Sequence, residues 1–182
     1  MARRAIYIGR FQVFHLGHLD VLHTIDGADD VDEICLIIGS TQYDHRQKSP
    51  VATWEANPFT VEERVAMIEG SLKGQLTKPW SIHLVPDYHD WERWYQHIVD
   101  HLPAFQVLYS ADRHEHAFFS AKGVETRRFP RRYSFHAGAV RFQLAVDDES
   151  WRKAVPQAAA EVLDRIGAGE RMREMLKRDH GS

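Results

Sequence analysis

The chain has 182 residues, a single cysteine and a formal net charge of −3 with histidine neutral. This charge argues against a duplex nucleic-acid partner, and one cysteine excludes a disulfide framework within the chain. The composition, 43% hydrophobic and 27% charged, is that of one soluble globular domain. The first apolar run is too short for a signal peptide or a membrane span, so we expect a cytoplasmic protein with no membrane partner.

The first predicted strand, turn and helix carry the most chemistry. A short apolar run typical of a buried strand ends at Gly9, and a helical period of apolar residues begins at Leu16. The start of a helix offers unpaired N–H groups and the positive end of its dipole to an anion. Arg10, His15 and His18 add side-chain donors there, so this turn is suited to phosphate.

The next segment completes a β–α–β unit. The nearly continuous apolar run 33–40 predicts a strand covered on both faces, as in a parallel sheet. A long polar loop, 41–57, follows at the end of that strand where open α/β sheets bind ligands. Arg46 lies in this loop. It can be interpreted equally well as a ligand contact or as a solvated surface charge. The following helix is predicted to start at Thr60, with Glu63 completing a capping box.

Three more strands are predicted to alternate with helices. Their bounds are 81–86, 105–112 and 124–129. The helix before the last of them is expected to end at Gly123. His114 and His116 in that helix show no metal-ligand pattern, so we interpret them as surface residues.

The C-terminal part is predicted to be helical after an acidic break at 147–149. Ser150 is a candidate cap for a helix that starts at Trp151. A last helix is expected over 170–178, and the closing residues 179–182 are expected to be frayed.

The stretch from Gly9 to His18, Gly-Arg-Phe-Gln-Val-Phe-His-Leu-Gly-His, resembles the signature of the HxGH nucleotidyltransferases. Its first four residues are similar to the nicotinamide-nucleotide adenylyltransferase branch, of the archaeal type and of the type fused to Nudix domains. That branch usually has Pro where this chain has Val13. The segment 57–64, Asn-Pro-Phe-Thr-Val-Glu-Glu-Arg, resembles a second family motif. For His15 and His18 of the first motif, the alternative interpretation is that they are two surface histidines at a helix cap with their hydrogen bonds satisfied.

The resemblance implies a doubly wound parallel α/β sheet, a Rossmann-like nucleotidyltransferase fold, at residues 1–146. Residues 147–182 would be a helical extension of the same domain. The implied reaction is attack of the nicotinamide mononucleotide (NMN) phosphate on the α-phosphorus of ATP, giving NAD and pyrophosphate without a general base. Mg²⁺ would bind through the ATP phosphates and not through protein ligands, and a homo-oligomer is expected.

The resemblance also assigns site residues. His18 would contact the α-phosphate, His15 would hold the phosphate chain, and Arg10 and Arg141 would neutralise the NMN phosphate and pyrophosphate. The implied nucleotide-binding residues are Gly9, Phe11, Gly17, Ser110, His136 and Gly138. The implied substrate-binding residues are Arg46, Asp87, Tyr88 and Trp94, with Trp94 stacking on the nicotinamide ring or, alternatively, belonging to the core.

Two departures from the family pattern keep other functions open. A Ser/Thr motif at a later helix N-terminus lacks both hydroxyls, since His136 and Gly138 stand there, although Arg141 is kept. The segment before the second motif is lengthened by residues 51–56. The alternatives are adenylyl or cytidylyl transfer to another phosphorylated acceptor, and a nucleotide-binding regulator without turnover. For Arg141, the alternative to a phosphate contact is a charge on an exposed helix face.

Overall fold

The fold, seen in a computed structural model that describes residues 1–181, is built on a five-stranded sheet. Ser182, the last of the residues expected to be frayed, lies outside the described residues. The strands are β1 (Arg4–Gly9), β2 (Glu33–Ile38), β3 (Trp80–Leu84), β4 (Val107–Tyr109) and β5 (Glu125–Arg127). The helices are α1 (Leu16–Asp26), α2 (Val61–Leu72), α3 (Trp91–His101), α4 (Arg113–Ala121), α5 (Ala137–Ala145), α6 (Gln157–Arg165) and α7 (Ala168–His180). Two 3₁₀ helices cover Trp54–Ala56 and Glu149–Ala154.

The sheet is parallel throughout, with the strand order β3-β2-β1-β4-β5. Ile6 of the central strand β1 lies opposite Cys35 of β2 and Leu108 of β4. The chain therefore winds outward from β1 in both directions, which confirms the predicted doubly wound architecture. In such a sheet the switch point, where ligands bind beyond the carboxyl ends of the strands, lies between β1 and β4.

The chain divides into two compact units that each combine several segments. The first unit comprises residues 1–10, 20–40 and 74–131 and contains the sheet, α3 and α4. The second comprises residues 11–19, 41–73 and the chain from 132 onward, with α2, α5, α6 and α7. The division of the chain at residue 146 stays a prediction.

In the first unit both faces of the sheet are covered. The cluster on one face consists of Ile6, Cys35, Ile37, Val85, Ile98, Leu108 and Phe119. Ile98 comes from α3 and Phe119 from α4, so these helices cover that face. Alternate residues such as Ala5, Ile34 and Leu36 are also 0% exposed. The continuous apolar runs predicted this arrangement, because a strand buried on both faces cannot alternate with polar residues.

In the second unit the start of α2 follows the sequence prediction. The Thr60 hydroxyl accepts the backbone N–H of Glu63, and the Glu63 carboxylate accepts the backbone N–H of Thr60, which confirms the capping box. Later in α2, Gly70 leaves room for α6, since a Cβ there would lie 3.0 Å from the Cβ of Ala158. Close packing of these two helices therefore depends on a residue without a side chain.

The prediction of a helix from Trp151 capped by Ser150 is wrong. Residues Glu149–Ala154 form a 3₁₀ helix in which the Asp148 carboxylate accepts the backbone N–H of Ser150. Val155 is extended (φ −122°, ψ 152°), and α6 begins only after Pro156. The reason is steric: a proline disfavours helical dihedrals in the residue before it and has no N–H to donate.

The last helix is longer than predicted. It starts at Ala168 after Gly167, whose φ of +64° suits glycine, and it continues through Asp179 to His180. The expected fraying at Asp179 is wrong, because its carboxylate accepts two backbone N–H groups from residues 54 and 55. Among residues 1–181, we find no helix with the length and apolar character that a bilayer crossing requires.

Candidate active site

Two imidazoles lie face to face at the start of α1. The ring centroids of His15 and His18 are 3.6 Å apart with an angle of 21° between the planes. Phe11 presents its ring to His18 edge-on at 5.0 Å, and Phe14 stacks on the same imidazole at 5.5 Å. His15 is only 8% exposed. The turn therefore fixes both imidazoles by packing, which limits the rotamers they can adopt.

The hydrogen bonds of these histidines define where their protons lie. The backbone N–H of His15 donates to Nδ1 of His18 over 3.1 Å, and the backbone N–H of Gly17 donates to Nδ1 of His15 over 3.1 Å. A neutral imidazole that accepts at Nδ1 carries its proton on Nε2. We therefore infer that each imidazole offers its Nε2–H as a donor.

Burial keeps both imidazoles neutral. It lowers the pKa of His15 to about 4, and the nearby charge of His136 adds to this. Burial also lowers the pKa of His18 well below its usual value, with a further contribution from His15. At pH 7 the pair therefore consists of neutral donors, with no positive charge of its own.

Gly17 is required by the position of His15. A Cβ at residue 17 would lie 2.9 Å from both Cε1 and Nδ1 of the His15 imidazole, which is closer than real contacts allow. A side chain there would therefore displace the ring. Nearby, Phe11 adopts a left-handed backbone (φ +51°), an unusual conformation for a bulky residue that is often found at functional sites.

Arg141 lies inside the second unit. It is 8% exposed, donates through Nη1 to the backbone carbonyl of Gln12, and pairs through Nε with the Glu55 carboxylate at 3.2 Å. The alternative of an exposed charge on a helix face is therefore wrong. The start of α5 lacks a side-chain cap, since His136 is its N-cap and makes no side-chain capping bond. Gly138, at the other lost hydroxyl position, is exposed.

Gln12 was not singled out by the sequence analysis. Its amide side chain is 2% exposed and makes two bonds to the backbone of Phe59: Nε2 donates to the carbonyl over 3.1 Å, and Oε1 accepts the N–H over 2.9 Å. This clamp joins the turn before α1 to the second motif. Its sequence signal was available, because Gln12 belongs to the Gly-Arg-Phe-Gln opening. Glu55 had no such signal.

The first unit contributes a second group of candidate residues at the carboxyl edge of the sheet. Gly9 ends β1, the exposed Arg10 follows it, Asp87 follows β3, and Ser110 follows β4. Asp87 accepts the hydroxyl of Ser40, which follows β2, over 3.3 Å. The edge therefore collects residues from four strands, as the doubly wound order predicts.

The hydroxyl of Ser110 takes part in local structure. It donates to the carboxylate of Glu115 and accepts the backbone N–H of Asp112 over 3.0 Å. Burial raises the pKa of Glu115. His116, interpreted as a surface residue, has its Nε2 2.7 Å from the Ser110 carbonyl. These contacts order the loop after β4. The backbone N–H of Ser110 also donates to the carbonyl of Arg127 over 3.1 Å, so both its hydroxyl and its backbone take part in the fold, and its nucleotide-binding role stays a prediction.

The predicted nicotinamide-binding residues differ in their surroundings. Tyr88 is half-buried, with its hydroxyl 2.8 Å from Nδ1 of His97 and the guanidinium of Arg93 5.4 Å from its ring centroid. Trp94 packs against the core cluster and meets the ring of Phe119 edge-on at 6.1 Å. The core alternative thus accounts for part of the Trp94 side chain, which is half-buried.

Arg46 is held by a neighbouring carboxylate. Its guanidinium and backbone N–H both bond to Asp44, which is 6% exposed. Both residues line an open cavity of about 300 Å³ that also includes Glu62. The Arg46 side chain remains 66% exposed, and its substrate-binding role stays a prediction.

Within residues 1–181, no three or more His, Cys, Asp or Glu side chains are grouped so that they could hold a metal ion.

Comparison with known proteins connects these features to a family. The family model described as cytidylyltransferase-like matches residues 6–119. A nicotinamide-nucleotide adenylyltransferase from Methanothrix thermoacetophila is 38% identical over 178 residues, covering 97% of this chain and 98% of that relative. One from Methanolobus tindarius is 35% identical over 182 residues, covering 97% and 96%.

Solved structures show the same fold at low sequence identity. A bifunctional NMN adenylyltransferase/ADP ribose pyrophosphatase from Francisella tularensis superposes with a TM-score of 0.69 at 19% identity. The match covers 96% of this chain but only 53% of that one, so the chain spans about half of its length. A nicotinic acid mononucleotide adenylyltransferase from Plasmodium falciparum gives a TM-score of 0.65 at 10% identity, covering 93% and 98%.

The family model covers the strand and turn that hold the imidazole pair, and the archaeal relatives match nearly the whole chain. The chain therefore belongs to the cytidylyltransferase-like family and, within it, to the nicotinamide-nucleotide adenylyltransferases.

Proposed function

We propose that this protein transfers the adenylyl group of ATP to NMN, giving NAD and pyrophosphate. The observation that carries the proposal is the pair of neutral imidazoles at the start of α1, each with Nδ1 occupied by a backbone N–H. The names of the archaeal relatives support the choice of acceptor.

The reaction needs alignment and charge stabilisation more than acid–base chemistry. A phosphate oxygen of NMN forms a bond to the α-phosphorus of ATP while the bond to the pyrophosphate oxygen breaks. The nucleophile is already an anion, so no proton has to be removed. Donors that are oriented before the reaction stabilise charge on the equatorial oxygens without reorganisation.

Residues of the second unit would bind the triphosphate of ATP. We assign the Nε2–H of His18 to the α-phosphate and that of His15 to the phosphate chain. Arg141 would receive the pyrophosphate through its forked donors. Gly17 leaves the space that the His15 ring occupies. The N–H groups at the start of α5, near His136 and Gly138, would add backbone donors.

Residues of the first unit would bind the acceptor NMN and would lie close to the phosphates. Arg10 would neutralise the NMN phosphate, with the backbone at Gly9 and Ser110 close to the phosphates. Asp87, Tyr88 and Trp94 would line the nicotinamide pocket, where a carboxylate and aromatic faces suit a cationic ring.

We propose that Mg²⁺ enters as its complex with ATP. The described residues provide no carboxylate cluster for a resident ion, whereas Mg²⁺ readily keeps water and phosphate oxygens as ligands. The metal is thus part of the substrate in this proposal.

A nucleotide-binding regulator without turnover is the second candidate. It is favoured by one observation, the absence of a side-chain capping bond from His136 at the start of α5. A homo-oligomer, a cytoplasmic location, the absence of a nucleic-acid partner and the likeness to the Nudix-fused type stay predictions.

Pyrophosphate release tests the proposal. The protein is mixed with Mg²⁺–ATP and, in separate reactions, NMN, nicotinic acid mononucleotide and unrelated phosphorylated acceptors, and CTP replaces ATP in a parallel series. We expect rapid release only with ATP and a pyridine mononucleotide, fastest with NMN. Tight ATP binding without release for any acceptor would favour the regulator.

A further inference from the structure

The C-terminal helix reaches the lengthened loop segment through the side chain of Asp179. Its two carboxylate oxygens accept the backbone N–H of Trp54 over 2.8 Å and of Glu55 over 2.9 Å. These N–H groups open the 3₁₀ helix Trp54–Ala56, and Thr53, the N-cap residue, makes no side-chain capping bond of its own. A residue about 125 positions away along the chain thus provides the cap.

The same 3₁₀ helix carries the partner of Arg141. Glu55 places its carboxylate 3.2 Å from Nε of Arg141, whose Nη1 donates to the carbonyl of Gln12. The Arg141 side chain is 10% exposed and that of Glu55 is 31% exposed. A continuous set of contacts therefore runs from α7 through Glu55 to Arg141 and on to the turn that leads into the imidazole pair.

We propose that Asp179 is a positioning residue that sets Arg141 for pyrophosphate by fixing the backbone of Glu55. The inference rests on one part of the proposed function, the assignment of Arg141 as a phosphate ligand. Nothing in the sequence pairs residue 179 with residue 55.

The physical basis is preorganisation. An arginine side chain has many rotamers, and binding a phosphate with a mobile guanidinium costs the entropy of fixing one of them. Contacts at Nε and Nη1 hold the fork in one orientation before the ligand arrives. The Nε contact is only as fixed as the short helix that carries Glu55, and Asp179 fixes the first turn of that helix.

A second contact from α7 supports this assignment. The guanidinium of Arg178 lies 4.9 Å from the ring centroid of Trp54 and donates to the backbone carbonyl of His45 over 2.8 Å. Two consecutive residues of α7 therefore hold the loop both before its lengthened part, at His45, and within it, at Trp54 and Glu55. This makes the Asp179 carboxylate a fixed cap.

The test measures binding of inorganic pyrophosphate by titration calorimetry, together with KM for ATP, kcat and thermal stability. The variants are Asp179→Ala, Glu55→Ala and the double variant. Lys177→Ala, an exposed position of the same helix, is the matched control. Asp179→Ala should weaken pyrophosphate binding and raise KM for ATP by about tenfold, the scale of one hydrogen bond to a charged group, with a smaller effect on kcat. Lys177→Ala should change neither.

The double variant distinguishes positioning from simple stabilisation. If Asp179 acts through Glu55, the double variant binds pyrophosphate no more weakly than Glu55→Ala alone. Additive losses, tighter binding after loss of Glu55, or a lower Tm of Asp179→Ala with unchanged pyrophosphate affinity would each overturn the inference.

If Asp179→Ala does not fold, Glu55→Gln, which keeps the side-chain size, must weaken pyrophosphate binding or the inference is wrong. Wild-type protein that binds pyrophosphate but makes no NAD would refute the proposed function and leave the inference standing.

Discussion

His15 and His18 would be poor phosphate ligands if charge alone decided the matter, because burial keeps both neutral. What they contribute is the fixed orientation of their N–H donors. Each Nδ1 accepts a backbone N–H, so each Nε2–H is fixed as a donor. A neutral, oriented donor stabilises developing charge without binding the ground-state triphosphate too strongly.

The first prediction concerns the donor on His18. His18→Ala should lower kcat by about two to three decades, the scale for one preorganised donor, with a smaller effect on ATP binding. His18→Gln is the matched comparison, because its amide nitrogen can occupy the place of Nε2 and should keep more of the rate. Steady-state kinetics check both, and a wild-type rate for His18→Ala would contradict the assigned role.

Gly17 gives a second prediction at this scale. Gly17→Ala places a Cβ 2.9 Å from the His15 imidazole, so the ring must move and kcat should fall at least tenfold while the protein still folds. Gly27→Ala, at the end of the same helix, would make contacts of 3.5 Å or longer and serves as the control. Equal activity of the two variants would mean that the position of His15 does not matter.

The depressed pKa of His15 predicts a pH dependence of stability. The folded state holds the pKa at about 4, below the usual 6.5 of an unfolded chain, so the unfolded state binds more protons between these values. The stabilisation is therefore complete above pH 6.5 and is lost as the pH falls towards 4, by at most about 1.4 kcal/mol per pH unit for one histidine.

Urea unfolding at pH 7 and pH 5 measures this effect. His15→Gln should reduce the loss of unfolding free energy between the two pH values relative to wild type. His23→Gln, an exposed position in the same helix, is the control. An unchanged loss in His15→Gln would show that His15 is not buried neutral.

Among the elements, helix starts followed the sequence closely where the cap is local. The box formed by Thr60 and Glu63 was predictable because both partners lie within one turn. The prediction failed at Trp151 because Pro156, five residues on, decides where the helix can begin. It failed at Asp179 because the partners of that side chain are far away in sequence.

The capping box yields a prediction of stability. Thr60→Ala removes the acceptor for the Glu63 N–H and should lower the free energy of unfolding by about 1 kcal/mol. Thr24→Ala removes a hydroxyl that only bonds back to a carbonyl within α1, and its effect should stay within about 0.5 kcal/mol. Urea unfolding of both variants checks this, and equal effects would argue against the box.

For the whole molecule, apolar runs alternating with helical periods predicted parallel strands, whereas the doubly wound order was predicted only through the resemblance to the nucleotidyltransferases. The imidazole pair was predictable because strand, turn and helix are consecutive in sequence. Gln12, Glu55 and Asp179 act across the chain, and periodicity has no access to such contacts. The roles of the site residues stay predictions, to be settled by the variants above.

The central proposal for the whole molecule is that this chain joins ATP to NMN. The most direct measurement is NAD formation by the purified protein with Mg²⁺, ATP and NMN, followed together with pyrophosphate release. We predict equal amounts of NAD and pyrophosphate, formed at a rate that falls by at least a hundredfold in His18→Ala. Binding of ATP with no NAD and no pyrophosphate would contradict the account.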